Sequence, residues 1–107
     1  MKSALKDLSE IVAKANDLLY AKFENIDTLM GIIDQSLRKQ GIKADAVTVD
    51  CVAADRKLLI LVHDDKPDSI TIVSGNKAGD IYSKDEYAMH EISEDFFVNI
   101  MEKNFIS

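Results

Sequence analysis

The sequence has 107 residues, with 13 Lys and Arg against 19 Asp and Glu, and its formal net charge is −6. Hydrophobic residues make up 47% and charged residues 30%, a composition typical of a globular domain, which excludes a disordered acidic tail. A single cysteine cannot form an intrachain disulfide, and a chain of this length buries enough surface to fold without one. We therefore expect one acidic domain over residues 1–107.

The first predicted element is an amphipathic helix over about residues 4–22, with Ser3 as its N-cap. Its apolar residues recur at three- and four-residue spacing, which gathers them on one side of a helix. They are Leu5, Leu8, Ile11, Val12, Ala15, Leu18 and Leu19.

A second helix is predicted to begin near Asn25 or Asp27. Arg38 and Lys39 lie in its last turn and Gly41 follows, which is typical of a helix C terminus. Its apolar side consists of Ile26, Leu29, Met30, Ile33 and Leu37.

The pattern then changes to that of strands. Residues 46–54 alternate partly, and residues 57–63 include five consecutive apolar positions, which indicates that both faces of this strand are covered. Asp55 and Arg56 between them predict a tight turn, so we expect the two strands to form a hairpin. Residues 69–74 predict a third strand.

Two interpretations of residues 81–92 stay open. Ser83 followed three residues later by Glu86 matches a capping box and favours a helix. The alternation of side chains over residues 87–92 favours a fourth strand. We favour the strand, because a sheet of only three strands leaves the long apolar strand poorly protected.

A final helix is predicted over about residues 94–105, with Ser93 as its N-cap. Its apolar residues spread over roughly 200°, which is wider than one packing surface uses. They are Phe96, Phe97, Val98, Ile100, Met101 and Phe105. Together with the apolar run at 58–62, this surface exceeds what one small subunit easily buries. We therefore predict a homodimer with the terminal helix or the open face of the sheet at its interface; the alternative is a three-layer monomer.

This order of elements predicts an α+β fold with two N-terminal amphipathic helices, an antiparallel sheet of three to four strands and one C-terminal helix. Asp7 and Glu10 lie where a signal peptide needs an apolar core, and the longest apolar run is five residues. We therefore expect no membrane association and a cytoplasmic location.

The acidic charge is concentrated late in the chain. Residues 1–63 carry nine acids and nine bases, whereas residues 64–107 carry ten acids and four bases. Nucleic acids and anionic membranes both require a basic face, so we expect neither as a partner. A basic protein partner fits this distribution, although net negative charge also keeps a small protein soluble.

One polar cluster is a candidate ligand site. A two-residue turn at Asp55 and Arg56 makes Thr48 face His63 and places Asp50 diagonal to His63. A histidine beside a carboxylate is the arrangement that orients a general base, but a polar rim at the end of a hairpin has the same composition. No third metal ligand accompanies His63 and Asp65, and no motif indicates a cofactor, so we predict neither a metal nor a cofactor.

These observations favour a non-enzymatic interaction module that binds a protein partner as a homodimer. By analogy of fold class alone, secretion chaperones and immunity proteins are similar small acidic proteins. The alternatives are a small-ligand or metal-binding protein with its site near Thr48, Asp50 and His63, and a structural subunit of an assembly. The residues predicted to contact the partner are Phe97, Met101, Phe105, Asp64, Asp65 and Asp68.

Overall fold

The computed structural model describes residues 3–106. Its helices are α1 (Ser3–Lys22), the short α2 (Ser36–Lys39) and α3 (Glu94–Phe105), with a 3-10 turn at Met89–Glu91. Its strands are β1 (Leu29–Ile33), β2 (Ala44–Cys51), β3 (Arg56–His63), β4 (Ser69–Gly75) and β5 (Ile81–Ala88).

The five strands form one antiparallel sheet in which each strand pairs with the next along the chain, in the order β1-β2-β3-β4-β5. α1 and α3 pack on each other and on one face of this sheet. The predicted α+β class with an antiparallel sheet is confirmed, and the sheet has five strands rather than three to four. No helix within residues 3–106 is long and apolar enough to cross a membrane.

The hydrophobic core lies between the two helices and the sheet. Alternate residues of the three central strands point into it, because successive strand residues face opposite sides. The buried strand residues are Val47, Val49, Cys51, Leu58, Ile60, Val62, Ile70 and Ile72. They pack against Leu5, Leu8, Val12, Ala15 and Leu19 of α1 and Phe97, Val98, Met101 and Phe105 of α3.

The predicted second N-terminal helix is wrong: strand β1 and the four-residue α2 occupy that segment. The sequence of β1, LMGII, contains a glycine and two β-branched residues, which lower helix propensity. Gly31 also fits the sheet, since a Cβ atom there would lie 2.9 Å from Oγ1 of Thr48. The predicted end of the helical segment is confirmed, because α2 ends at Lys39 and Gly41 has a φ of +85°.

The predicted hairpin between β2 and β3 exists, but its turn is longer than expected. Residues 52–55 form the turn, in which Asp55 has a φ of +50° and its N–H donates to the carbonyl of Val52 at 3.1 Å. The longer turn shifts the pairing by four residues, so that Thr48 lies opposite Leu59 and not opposite His63. An even shift keeps every side chain on its expected face.

The last part of the chain follows the favoured prediction. Residues 81–88 form strand β5, and α3 begins at Glu94 as expected. The Oγ atom of Ser93 accepts a hydrogen bond from the N–H of Phe96 at 3.1 Å, which makes Ser93 the N-cap.

Candidate functional site

The three residues of the predicted ligand site do not meet. Thr48 lies opposite Leu59, while Asp50 lies near the turn end of the β2–β3 hairpin. His63 pairs with Ala44 at the other end, six residues along β2 from Asp50, which corresponds to about 20 Å. The predicted arrangement, in which Thr48 faces His63 and Asp50 lies diagonal to it, is therefore wrong, because it depended on the two-residue turn.

Asp50 keeps one unusual feature. Its Oδ1 atom is buried and, within residues 3–106, accepts no hydrogen bond. The carboxylate borders a cleft of about 320 Å³ that is also lined by Asp55, Arg56, Lys57 and Lys77. Lys57 is the residue opposite Asp50 on β3. No group of three His, Cys, Asp or Glu side chains in the described part of the chain is placed to hold a metal ion.

The predicted apolar contacts of α3 lie inside the subunit. Phe97, Met101 and Phe105 are buried in the core, so no partner reaches them while the subunit stays folded. The remaining aromatic surface of α3 is also used internally, since the rings of Phe96 and Tyr87 form a T-shaped pair with centroids 4.9 Å apart. The wide apolar arc of α3 is thus covered by α1 and the sheet.

The acidic residues after β3 have different roles. Arg38 of α2 forms two forked ion pairs, with Nε and Nη2 donating to Asp45 at 2.9 and 2.8 Å, and Nη1 and Nη2 donating to Asp64 at 2.7 and 2.8 Å. The hydrogen bonds that Arg38 donates to Asp64, and next those to Asp45, raise the pKa of Arg38 above its ordinary value. Asp64 therefore fastens α2 to the sheet, whereas Asp65 and Asp68 are exposed.

The face of the sheet that points away from the helices carries an apolar centre. We call this surface the open face; its centre consists of Ile33, Ala46, Leu59, Leu61 and Val73. None of these five side chains belongs to the core cluster. Ala46 is fully buried, and the other four are half-buried. The two flanking threonines, Thr48 and Thr71, are half-buried. An apolar centre of this kind with polar groups around it is the usual composition of a protein interface.

Two cross-strand rows describe the centre of the open face. The first row is Gly31, Thr48, Leu59, Val73 and Lys84, and the second row is Ile33, Ala46, Leu61, Thr71 and Glu86. Each row carries one charge, at its β5 end, and the two charges have opposite sign. Asp50 and Lys57 lie in the next row towards the β2–β3 turn, and His63 lies at the opposite end of the sheet.

The sequence contained a signal for this surface. The apolar run at 58–62 indicated that both faces of β3 are covered, and the open face was one of the two expected interfaces. Ile33 was missed because its spacing from Met30 and Leu37 also fits a helix. The ion pairs of Arg38 were missed because they join residues that are far apart in the sequence.

Comparison of the chain with protein-family models, with curated proteins and with solved structures returned no match.

Proposed function

We propose that the protein is a non-enzymatic interaction module that works as a homodimer, in which the open faces of two copies cover each other. The observation that carries this proposal is the apolar centre of the open face. The helices cover one side of the sheet, while Leu59, Leu61 and Val73 lie outside the core on the other side. Leu59, Leu61 and Val73 are half-buried in the single subunit, and a contiguous apolar patch on a soluble protein is commonly an interaction site.

The size of the open face suits a dimer. Five strands at the usual spacing, with lengths of five, eight, eight, seven and eight residues, form a surface of roughly 24 Å by 24 Å. Two such faces in contact bury on the order of 1,200 Å², the lower end of the range for stable protein interfaces. Ala44 and Ala46 keep the β2 part of this surface flat, which helps two sheets to pack face to face.

The charges favour a second copy as the occupant. A two-fold axis that crosses the strands between the two central rows places the first row of one copy over the second row of the other. Leu59 then faces Leu61 of the second copy, and Lys84 faces Glu86 of the second copy at two symmetric places. An axis parallel to the strands instead brings Lys57 against Lys57 of the second copy, which like charges disfavour.

Other features support an interaction module rather than an enzyme or a ligand-binding protein. Cys51 is buried in the core and His63 is separated from Asp50. The closeness of Asp50 and His63, which was the support for a ligand site near Thr48, is therefore absent from the fold. Asp65 and Asp68 are exposed outside the proposed interface, and their negative charges suit a basic protein partner.

Sedimentation of single variants tests the dimer. Leu61→Glu places a charge at the centre of the open face, on a side chain that is only half-buried, so the subunit should fold while the dimer dissociates. Leu18→Glu is the matched control, because Leu18 is 44% exposed on α1 and outside the open face. We expect dimers for the wild type and Leu18→Glu, and folded monomers for Leu61→Glu. A monomeric wild type, or a dimeric Leu61→Glu variant, contradicts the proposal.

A further inference from the structure

The two edges of the sheet differ in their protection against strand pairing. β5 carries Lys84, Asp85 and Glu86 side by side, and charges on an edge strand are a common protection against pairing with another chain. β1 carries no charged residue, and its Leu29 and Ile32 side chains are 64% and 43% exposed. The β1 edge is therefore the one that is suited to receive another strand.

The main chain of β1 is free on its outer side. β1 pairs only with β2 in the sheet, so the N–H and C=O groups that alternate with the paired ones point outwards. No hydrogen bond within residues 3–106 outside this pairing involves the main chain of β1. Side chains flank this edge on both faces, since Leu29 lies on the open face and Ile32 on the side of the helices.

We propose that the β1 edge binds an extended segment of a partner protein as a sixth strand, and that this segment has an apolar centre between basic residues. Addition of a strand satisfies the outward main-chain groups, while Leu29 and Ile32 contact alternate side chains of the segment. The basic residues follow from the charges that bracket β1. Asp27 precedes the strand and is exposed, and Asp34 follows it and is half-buried.

The same charges disfavour a second copy at this edge. Antiparallel pairing of two β1 strands centred on Gly31 places Asp34 of each copy opposite Thr28 of the other, next to Asp27 of the other. Like charges then approach each other at both ends of a short strand pair. A basic segment meets opposite charges at the same two positions.

This proposal rests on the proposed function in that it names the partner of the interaction module, but it does not require the dimer. In the dimer described above, both β1 edges lie on the same side, because each β1 lies over β1 of the second copy. One dimer therefore offers two adjacent binding edges whose β1 strands run in opposite directions, and a partner with two such segments gains affinity from their linkage.

Fluorescence anisotropy with labelled peptides tests the proposal. The probe is KRVTVTVRK, which alternates apolar and threonine side chains between basic ends. KRVTPTVRK is the control for strand formation, since proline removes a main-chain donor, and EDVTVTVDE is the control for charge. The protein variants are Ile32→Lys on β1 and, as the matched control, Ile81→Lys on β5, where Ile81 is 67% exposed.

We expect the basic probe to bind the wild type and Ile81→Lys equally, and to bind Ile32→Lys at least about tenfold more weakly. The proline and acidic peptides should bind at least about tenfold more weakly than the probe. Hydrogen exchange should show new amide protection within residues 29–33 when the probe binds. Absence of binding, equal binding of the proline peptide, or equal loss in both variants overturns the proposal.

A further arm separates this proposal from the dimer. Leu61→Glu should keep the affinity for the probe even as a monomer, because Leu61 lies two strands away from the β1 edge. If Leu61→Glu is dimeric and still binds the probe, the proposed open-face dimer fails while the edge proposal stands. If amides 29–33 are protected in the free protein only at high concentration, a second copy occupies the edge and the peptide proposal fails.

Discussion

Two leucines on one strand separate the contribution of the core from that of the open face. Leu58 and Leu61 both lie on β3, but Leu58 is fully buried under the helices and Leu61 lies on the open face. Leu58→Ala and Leu61→Ala remove the same atoms from the two faces of one strand. Any difference between them therefore reports what covers each face.

The expected magnitudes differ. Leu58→Ala leaves a cavity in a closed core and should lower the free energy of unfolding by roughly 3–5 kcal/mol at any protein concentration. Leu61→Ala in an isolated subunit should cost only about 1 kcal/mol, because part of its side chain is already exposed to water. In a dimer the loss occurs in both copies, so dissociation should become easier by about 2 kcal/mol, or roughly 30-fold in Kd.

Urea denaturation at two concentrations measures both effects. If folding is coupled to dimerisation, a hundredfold rise in protein concentration stabilises the wild-type dimer by about 2.7 kcal/mol. The urea midpoint of the wild type and of Leu58→Ala should therefore be higher at about 100 μM than at about 1 μM. The deficit of Leu61→Ala relative to the wild type should be larger at the higher concentration, because the dimer contacts that the variant loses then contribute more to the stability of the wild type. A wild-type midpoint that does not depend on concentration, or equal losses for the two variants, refutes this reasoning.

Three further substitutions test other parts of the structure. Lys84→Glu should weaken the dimer by about 1–2 kcal/mol in sedimentation equilibrium, because two exposed pairs become repulsive, and the double exchange Lys84→Glu with Glu86→Lys should restore it. Arg38→Lys should lower the melting temperature by several degrees in circular dichroism, since lysine cannot form two forked ion pairs. The pKa of Arg38 is raised in the folded state, so the stability that its ion pairs contribute is complete below the ordinary arginine pKa and is lost only as the pH rises through the higher folded value. The drop in melting temperature should therefore be equal at about pH 6 and pH 9. Ser93→Ala should cost about 1 kcal/mol in urea denaturation and Ser93→Asp much less, because aspartate is also a good N-cap; equal losses contradict the capping role.

Local signals in the sequence were sufficient for the elements whose ends are marked chemically. The limits of α3 were predicted because Ser93 is an N-cap and the apolar spacing behind it fits only a helix. Gly41 marked the end of α2 for a similar reason. The segment of β1 was predicted as a helix, because the spacing of Leu29, Met30 and Ile33 fits the apolar side of a helix. Only its pairing with β2 favours a strand.

Features that depend on contacts between distant residues could not be read from the sequence. The register of the β2–β3 hairpin depends on the left-handed conformation of Asp55, which no residue pattern requires. The candidate ligand site failed with that register. The sequence predicts excess apolar surface on both α3 and β3. On α3 this surface is covered by α1 within the subunit, whereas on β3 the outer side chains, such as Leu59, form the open face.

Intermolecular contacts between methyl groups test the open-face dimer most directly. A mixed sample of methyl-labelled and unlabelled chains gives isotope-filtered nuclear Overhauser effects that arise only between copies. We predict contacts between the methyl groups of Leu59 and Leu61 of different copies, and from both to Val73. Two results contradict an open-face dimer. One is that intermolecular contacts come only from residues of α1 or α3. The other is that a sample at about 500 μM gives no intermolecular contacts, since a dimer with a micromolar Kd is fully formed at that concentration.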